Sequence, residues 1–305
     1  MITKNQIKFV KQLEQKKHRQ REGLFVAEGP KVVGDLLAAG FQPVIAFATE
    51  EWSSTLEEAK LQRVSPDELS RISFLQHPQQ VLALFPLPRV LLSDECLGLS
   101  DERLGLSDES LELRDFSSAP HHSTEVSQLS TEVSQHSTEV SQHSTLNTQQ
   151  KTLNTQQKTL YILALDGVQD PGNLGTIIRV ADWFGIDRIV CSADTADCWS
   201  PKVVQATMGS IARVSIVYTD LVDYLQHTTL PVCGTLLNGR DIFKESLPSE
   251  AIIVMGNEGN GISQAVRQLV THPLLIPQYR PGAESLNVAI ATAITCAEFR
   301  RRATK

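Results

Sequence analysis

The sequence predicts two α/β domains, a small N-terminal one over residues 1–89 and a C-terminal one with a parallel sheet over residues 160–305, joined by a linker over 90–159. Three observations predict this. Short apolar runs alternate with helically spaced stretches in both flanks, and in the C-terminal one this implies a parallel sheet covered on both faces. The middle is a polar tandem repeat with no apolar face. The 305 residues, 41% hydrophobic and 21% charged, are enough for a substantial core and close to the globular average.

In the N-terminal flank, Ile7, Val10 and Leu13 have helical spacing within 2–13. Leu24–Ala27 is a short apolar strand. Gly29-Pro30 opens a helix through Val32, Val33, Leu36 and Leu37 that stops at Gly40, and Val44–Ala48 and Val81–Phe85 are further strands. The first 31 residues hold eight Lys and Arg (Lys4, Lys8, Lys11, Lys16, Lys17, Arg19, Arg21, Lys31) against three Glu. Such a run is either a solvated helix face or a phosphate-contacting surface, and charge alone does not choose.

The linker repeats with a period of seven. Leu92–Gly98, Leu99–Gly105 and Leu106–Glu112 share LSDExL apart from the residue at x; Ser123–Leu129, Ser130–His136 and Ser137–His143 share STEVSQ; TLNTQQK occurs at Thr145–Lys151 and Thr152–Lys158. None of the units sets apolar residues three and four apart, as a coiled-coil seam needs, so a disordered tether is expected. His136 and His143 have no fixed geometry there for a metal. Residues 90–160 carry four basic and eleven acidic residues, which is the whole net charge of −7; the flanks are close to neutral. The acidic total therefore does not exclude a nucleic-acid partner.

In the C-terminal flank, strands are expected at Tyr161–Leu165, Arg188–Cys191, Val214–Val217, Val232–Leu236, Ile252–Met255 and Leu274–Ile276. A helix over Gly172–Phe184 turns Leu174, Ile177, Ile178, Ala181 and Phe184 inward, and a last helix runs from about Ser285 to Arg302. No apolar run nears the roughly 18–20 residues of a membrane span. The basic start leads into no apolar signal core. Five separated cysteines, with no Cys-x-x-Cys, read as reduced thiols of a cytoplasmic protein, with no metal site.

Ligands of parallel sheets bind at the carboxyl ends of strands. Three strand ends here carry glycine and polar clusters: Asp166–Gly175, leading into a helix with Arg179; Met255–Gly261; and Ile276–Asn287. Their glycine spacing does not fit a dinucleotide fingerprint, there is no Walker lysine, and no Ser lies in a nucleophile elbow.

Taken together, NLGTIIR at 173–179, MGNEGNGI at 255–262 and the IP…SLNVAIA stretch at 276–291 resemble the three ordered motifs of the SpoU (TrmH-like) RNA 2′-O-ribose methyltransferases of the SPOUT class, over essentially all of 160–305. Arg21–Val33 is similar to the signature of that family's substrate-binding domain. The chain departs in Gln278, where many members have Met, and in its long linker. The resemblance implies a C-terminal domain tied in a deep trefoil knot, a homodimer, and S-adenosyl-L-methionine held by backbone at Gly256, Ile276 and Leu286. Asn173, Arg179, Glu258, Ser285 and Asn287 match the family's polar catalytic positions. Because a guanidinium stays protonated, Arg179 is expected to stabilise the developing alkoxide and grip the adjacent phosphate rather than act as a base. Glu258 would orient Arg179 or Asn173. Asn173 and Ser285 also suit simple helix caps. The implied activity is 2′-O-methylation of RNA, ribosomal RNA foremost, with no membrane partner. The alternatives are tRNA ribose methylation, base methylation, and a non-catalytic RNA-binding protein on the same fold.

Overall fold

The computed structural model describes residues 2–53, 56–88, 160–280, 282 and 285–303. The heptad repeats, with the tether and metal readings attached to them, lie outside the described residues.

The N-terminal domain runs α1 (Lys4–Gln12), α2 (Lys16–Glu22), β1 (Leu24–Glu28), α3 (Pro30–Ala38), β2 (Ile45–Ala48), β3 (Leu61–Arg63), α4 (Pro66–Ile72) and β4 (Val81–Pro86). Its mixed sheet has the order β1-β4-β2-β3, antiparallel except for β2–β3. Capping boxes start two helices: Thr3 with Gln6 for α1 and Ser65 with Glu68 for α4. Three elements escaped the sequence reading. In α2, Lys-Lys-His-Arg-Gln-Arg-Glu has no apolar spacing, and its one buried residue is Arg19. Three-residue β3 and seven-residue α4, with two buried apolar positions, are too short for a period to emerge.

The C-terminal domain runs β5 (Tyr161–Asp166), α5 (Pro171–Trp183), β6 (Arg188–Cys191), α6 (Pro201–Ala206), β7 (Ser215–Tyr218), α7 (Leu221–Gln226), β8 (Val232–Asp241), β9 (Ala251–Gly256), α8 (Gln264–Arg267), β10 (His272–Leu275) and α9 (Val288–Ala303). Its six strands are all parallel, in the order β10-β8-β9-β5-β6-β7. Central β5 and β9 are buried along their whole length, as a sheet covered on both faces requires. From β5 the chain steps outward through β6 and β7, then returns to place β9 on the other side of β5. The β5–β9 boundary is therefore the switch point at which such sheets bind ligands.

Two boundaries differ from expectation. β8 extends to Asp241 because Arg240 and Asp241 pair with Leu274 and Leu275 beyond a register shift in β10. The last helix starts at Val288, not Ser285.

The described residues on either side of the repeat segment pack as one compact unit. A single apolar cluster runs from Phe25, Val33 and Phe85 into Leu163, Leu165 and Val203. At the seam, the Phe25 and Trp199 rings lie 4.7 Å apart. Arg213 bonds Asp182 at 2.7 Å and reaches Asp35 of α3 at 3.8 Å. Buried Arg19 donates to the carbonyls of Leu13 and Glu14 and to the carboxylate of Asp197. This corrects one reading of the basic start, since Arg19 is an internal tie and not a phosphate contact. Lys11 likewise donates to the Ser73 carbonyl, and Lys16 lies over the Tyr218 ring. Lys4, Lys8 and Lys17 remain exposed.

Candidate functional site

At the carboxyl ends of β5 and β9, two loops face each other. The first, 167–170, leads into α5, whose cap is Asp170: its carboxylate accepts the Asn173 N–H at 2.8 Å. Asn173 is thus a first-turn residue and not the cap, which releases its side chain for other contacts. The second loop, 257–261, is closed by a pair of backbone bonds between Asn257 and Gly261. It presses so tightly on the end of β9 that a Cβ at Gly256 would stand 2.2 Å from the Gly261 carbonyl carbon and the Ile262 nitrogen. Only glycine permits that approach.

The two loops meet in a directed chain of hydrogen bonds. Asn173 Nδ2 donates to Glu258 Oε1 at 2.9 Å, and Asn287 Nδ2 donates to Asn173 Oδ1 at 2.9 Å. Asn287 Oδ1 accepts the N–H groups of Ala289 and Ile290 at 2.9 and 3.3 Å. Asn287 therefore starts α9, the role expected as one reading of Ser285. The polarity of the chain is set at both ends: an ionised carboxylate only accepts and helix-start N–H groups only donate, so each amide between them has one satisfactory orientation. Three elements far apart in sequence are joined through these two amides.

Beside this chain lies a cavity of about 460 Å³. One wall is Thr235, Leu236 and Leu237 of β8, and the floor is Met255 and Gly256. Loop 257–261, Leu275-Ile276, Ser285-Leu286 and the start of α9 complete it. Glu258, Gly256, Ile276, Ser285 and Leu286 thus share one cavity, and Asn173 and Asn287 adjoin it through Glu258. Arg179 does not line it. It is exposed on α5 with no hydrogen-bond partner among the described residues, so Glu258 orients Asn173 and not Arg179.

Sequence reasoning did not single out Asn257. Its Nδ2 donates to the Gly167 carbonyl at 2.7 Å, and its Oδ1 accepts the Gly259 and Asn260 N–H groups at 2.9 and 3.0 Å. It therefore ties the Glu258 loop to the exit of β5. Its only signal was its place between Gly256 and Glu258. The β8 wall gave no signal either, because Thr235–Leu237 reads as ordinary strand.

Among the described residues no cluster of three His, Cys, Asp or Glu is placed for a metal, no helix is long and apolar enough to cross a membrane, and Cys191, Cys198, Cys233 and Cys296 are free and buried. Burial pushes the thiols of Cys233 and Cys296 up to about 12, which keeps them protonated and unreactive.

Residues 160–297 match the SpoU rRNA Methylase family, and residues 4–83 match the MRM3-like substrate binding domain. The 23S rRNA (guanosine(2553)-2′-O)-methyltransferase RlmP of Bacillus subtilis is 40% identical over 137 residues, 44% of this chain and 55% of that protein. The aligned stretch thus spans about half of that curated relative. Among solved structures, a putative RNA methyltransferase of the TrmH family from Porphyromonas gingivalis is 34% identical with a TM-score of 0.70, covering 99% of both chains. An AdoMet-bound rRNA methyltransferase from Sinorhizobium meliloti is 26% identical with a TM-score of 0.71, covering 99% of this chain and 96% of that one.

Proposed function

We propose, because this chain belongs to the SpoU rRNA Methylase family, that it methylates the 2′-oxygen of a ribose in ribosomal RNA, with S-adenosyl-L-methionine as methyl donor. The observation that carries this reading is the Glu258–Asn173–Asn287 chain at the edge of the cavity between β5, β8 and β9. The relatives named as rRNA 2′-O-methyltransferases support the reaction, and the AdoMet-bound relative supports the cofactor.

The cavity suits that cofactor. An adenosine needs an apolar slot edged by main-chain donors and acceptors, and here Leu236, Met255, Ile276 and Leu286 supply the slot while the glycine loops bring backbone to its edge. In this reading Gly256, Ile276 and Leu286 hold it. When bound, S-adenosyl-L-methionine supplies an electrophilic methyl on a sulfonium, so the residues need only position the hydroxyl, ease its deprotonation and exclude water. Ser285 in the cavity lining orients the ribose, and the Asn173–Asn287 amides hold Glu258 and the start of α9 in place beside it. Arg179 would hold the neighbouring phosphate with its planar fork and stabilise the negative charge that develops on the ribose 2′-oxygen. The proton leaves to solvent.

The same reading assigns residues 1–89 to RNA contact, 90–159 to a tether and 160–305 to catalysis, with the chain after β9 knotted. A homodimer is part of it: Trp183 is 86% exposed one turn beyond Arg179, and Ile290 on α9 is 53% exposed. Large apolar groups left at the surface suit a second copy. Four free thiols suit the reducing cytoplasm.

The test is to map 2′-O-methyl groups in RNA from cells with and without the protein. A single ribosomal nucleotide should lose its methyl on deletion. A lost mark on tRNA, on a base, or on nothing at all would each overturn the assignment.

A further inference from the structure

We propose that a hollow of about 560 Å³ in the N-terminal domain binds one unpaired nucleobase of the RNA, a base carrying an exocyclic amine. This rests on the ribosomal RNA reading above and adds to it a specific point of grip. Its volume falls within the roughly 300–1,000 Å³ of small-molecule sites.

Four separate stretches build the hollow: the start of α3, the turn after β2, α4, and the turn before β4. Its apolar walls are the rings of Pro30, Pro66 and Pro78 and the side chain of Leu69. Proline rings present apolar C–H faces that pack well against a flat heteroaromatic ring, and they do so without sequence preference.

The polar groups set the preference. Thr49 Oγ1 donates to the Gln80 carbonyl at 3.4 Å, and Ser70 Oγ donates to the Asp67 carbonyl at 2.7 Å. Both hydroxyls have thus committed their protons to backbone, and only their lone pairs remain for a ligand. The Glu51 carboxylate adds acceptors. The site is therefore rich in acceptors, with the Gln79 and Gln80 amides as its side-chain donors. Adenine, cytosine and guanine offer an amine to such a lining, and uracil does not. Glu51 also repels phosphate, which keeps the sugar–phosphate chain outside, where exposed Lys31 and Arg71 adjoin Pro30 and Ser70 in the chain.

The shape is held at a cost. Gln80 has φ +33, outside the regions a side chain prefers, in a tight turn in which the Val81 N–H donates to the Gln79 carbonyl. The Thr49 N–H holds the Gln80 carbonyl at 2.8 Å. Gly29, at φ +84, has Gln79 Oε1 only 3.1 Å from where a Cβ would be, so glycine lets that amide lie over the start of α3. Strain of this kind persists where the surroundings over-determine it, and such sites are often functional.

The test uses the full-length protein and a 23S rRNA transcript. Ser70→Tyr fills the hollow from the exposed face of α4, and Gln79→Ala removes an exposed amide without touching the core. Both should bind the transcript about tenfold more weakly, the scale of one base contact, and raise KM for RNA. S-adenosylmethionine affinity, kcat at saturating RNA and melting temperature should stay at wild-type values. If Ser70→Tyr melts early, Gln79→Ala alone decides. Unchanged RNA affinity, with the wild type still methylating the transcript, would overturn the hollow and leave the reaction standing. A wild type that methylates no RNA would overturn both. A parallel loss of cofactor affinity would mark a structural effect and also overturn the assignment.

Discussion

At the scale of residues, three of the polar positions are held by each other, while Arg179 and Ser285 have no hydrogen-bond partner among the described residues. Asn173, Glu258 and Asn287 spend their hydrogen bonds on one chain, whereas Arg179 is exposed and six residues along α5 from Asn173, about 9 Å of helix rise. A group without partners among the described residues is available for substrate. Arg179→Ala should therefore leave the fold intact, since Leu174, Ile177 and Ile178 make the buried face of α5. It should lower single-turnover methyl transfer by about 10²–10³-fold, the usual loss for a preorganised electrostatic contact. Arg179→Lys should rescue little, because a point charge cannot replace the fork. Calorimetry should find cofactor affinity near wild type in both. Transfer at wild-type rates by the alanine variant would remove Arg179 from the chemistry. The residue types were legible in the sequence; the pairing was not. Nothing local says that Glu258 meets Asn173 and not Arg179, because both lie in the same motif and only the direction each leaves α5 separates them.

At the scale of elements, the last helix carries the clearest pH signature. Glu298, 5% exposed, accepts Arg301 at 2.7 Å and Arg302 at 2.6 Å. Its hydrogen bonds to Arg301, then to Arg302, hold the carboxyl down to about 2 from 4.5. A lowered carboxyl stabilises the fold only while ionised. Its contribution is therefore complete above about 4.5 and is lost as pH falls from 4.5 through about 2. Glu298→Gln should melt below the wild type at neutral pH, and the gap should close between pH 5 and pH 2. A gap constant across that range would show that Glu298 acts by packing alone. The neighbouring Arg300 instead donates to the Phe184 and Gly185 carbonyls, tying α9 to the end of α5. By sequence alone, Arg300, Arg301 and Arg302 are three like charges at a helix end, where each suits the helix dipole. Their different partners depend on which neighbouring element each one faces.

At the scale of the whole molecule, the two sheets share a core and a buried ionic tie. Arg19→Ala would leave Asp197 without its ionic partner, with the Trp199 N–H still donating to it, and should cost about 3–5 kcal/mol of stability, as breaking one side of a buried pair does. Lys4→Ala, on the exposed side of α1, should cost almost nothing. Chemical denaturation of both variants compares them directly, and equal losses would show that the Arg19 tie contributes no more than a surface charge. Because the residues flanking the repeats pack as one unit through their own contacts, replacing 92–158 with a Gly/Ser linker of sufficient length should leave melting temperature and cofactor affinity unchanged. A marked fall in melting temperature would assign the repeats a packing role.

The sequence by itself determined the α/β class, the alternation of buried strands and helices, and the three strand-end clusters, because each is written within ten or so neighbouring residues. The apolar runs of β5 and β9 and the spacing of Leu174, Ile177, Ile178 and Ala181 are of this kind. Tertiary structure alone decided what meets. Asn173 lies 85 residues from Glu258 and 114 from Asn287, and they touch because the sheet order sets β5 beside β9 and returns α9 over α5. It likewise turned Arg19 from a presumed surface charge into an internal tie, since α2 has no apolar face and is anchored by the carboxylate that the second domain brings to it. Periodicity records which face of an element is buried; which partner buries it is a property of strand order, and no local pattern encodes that.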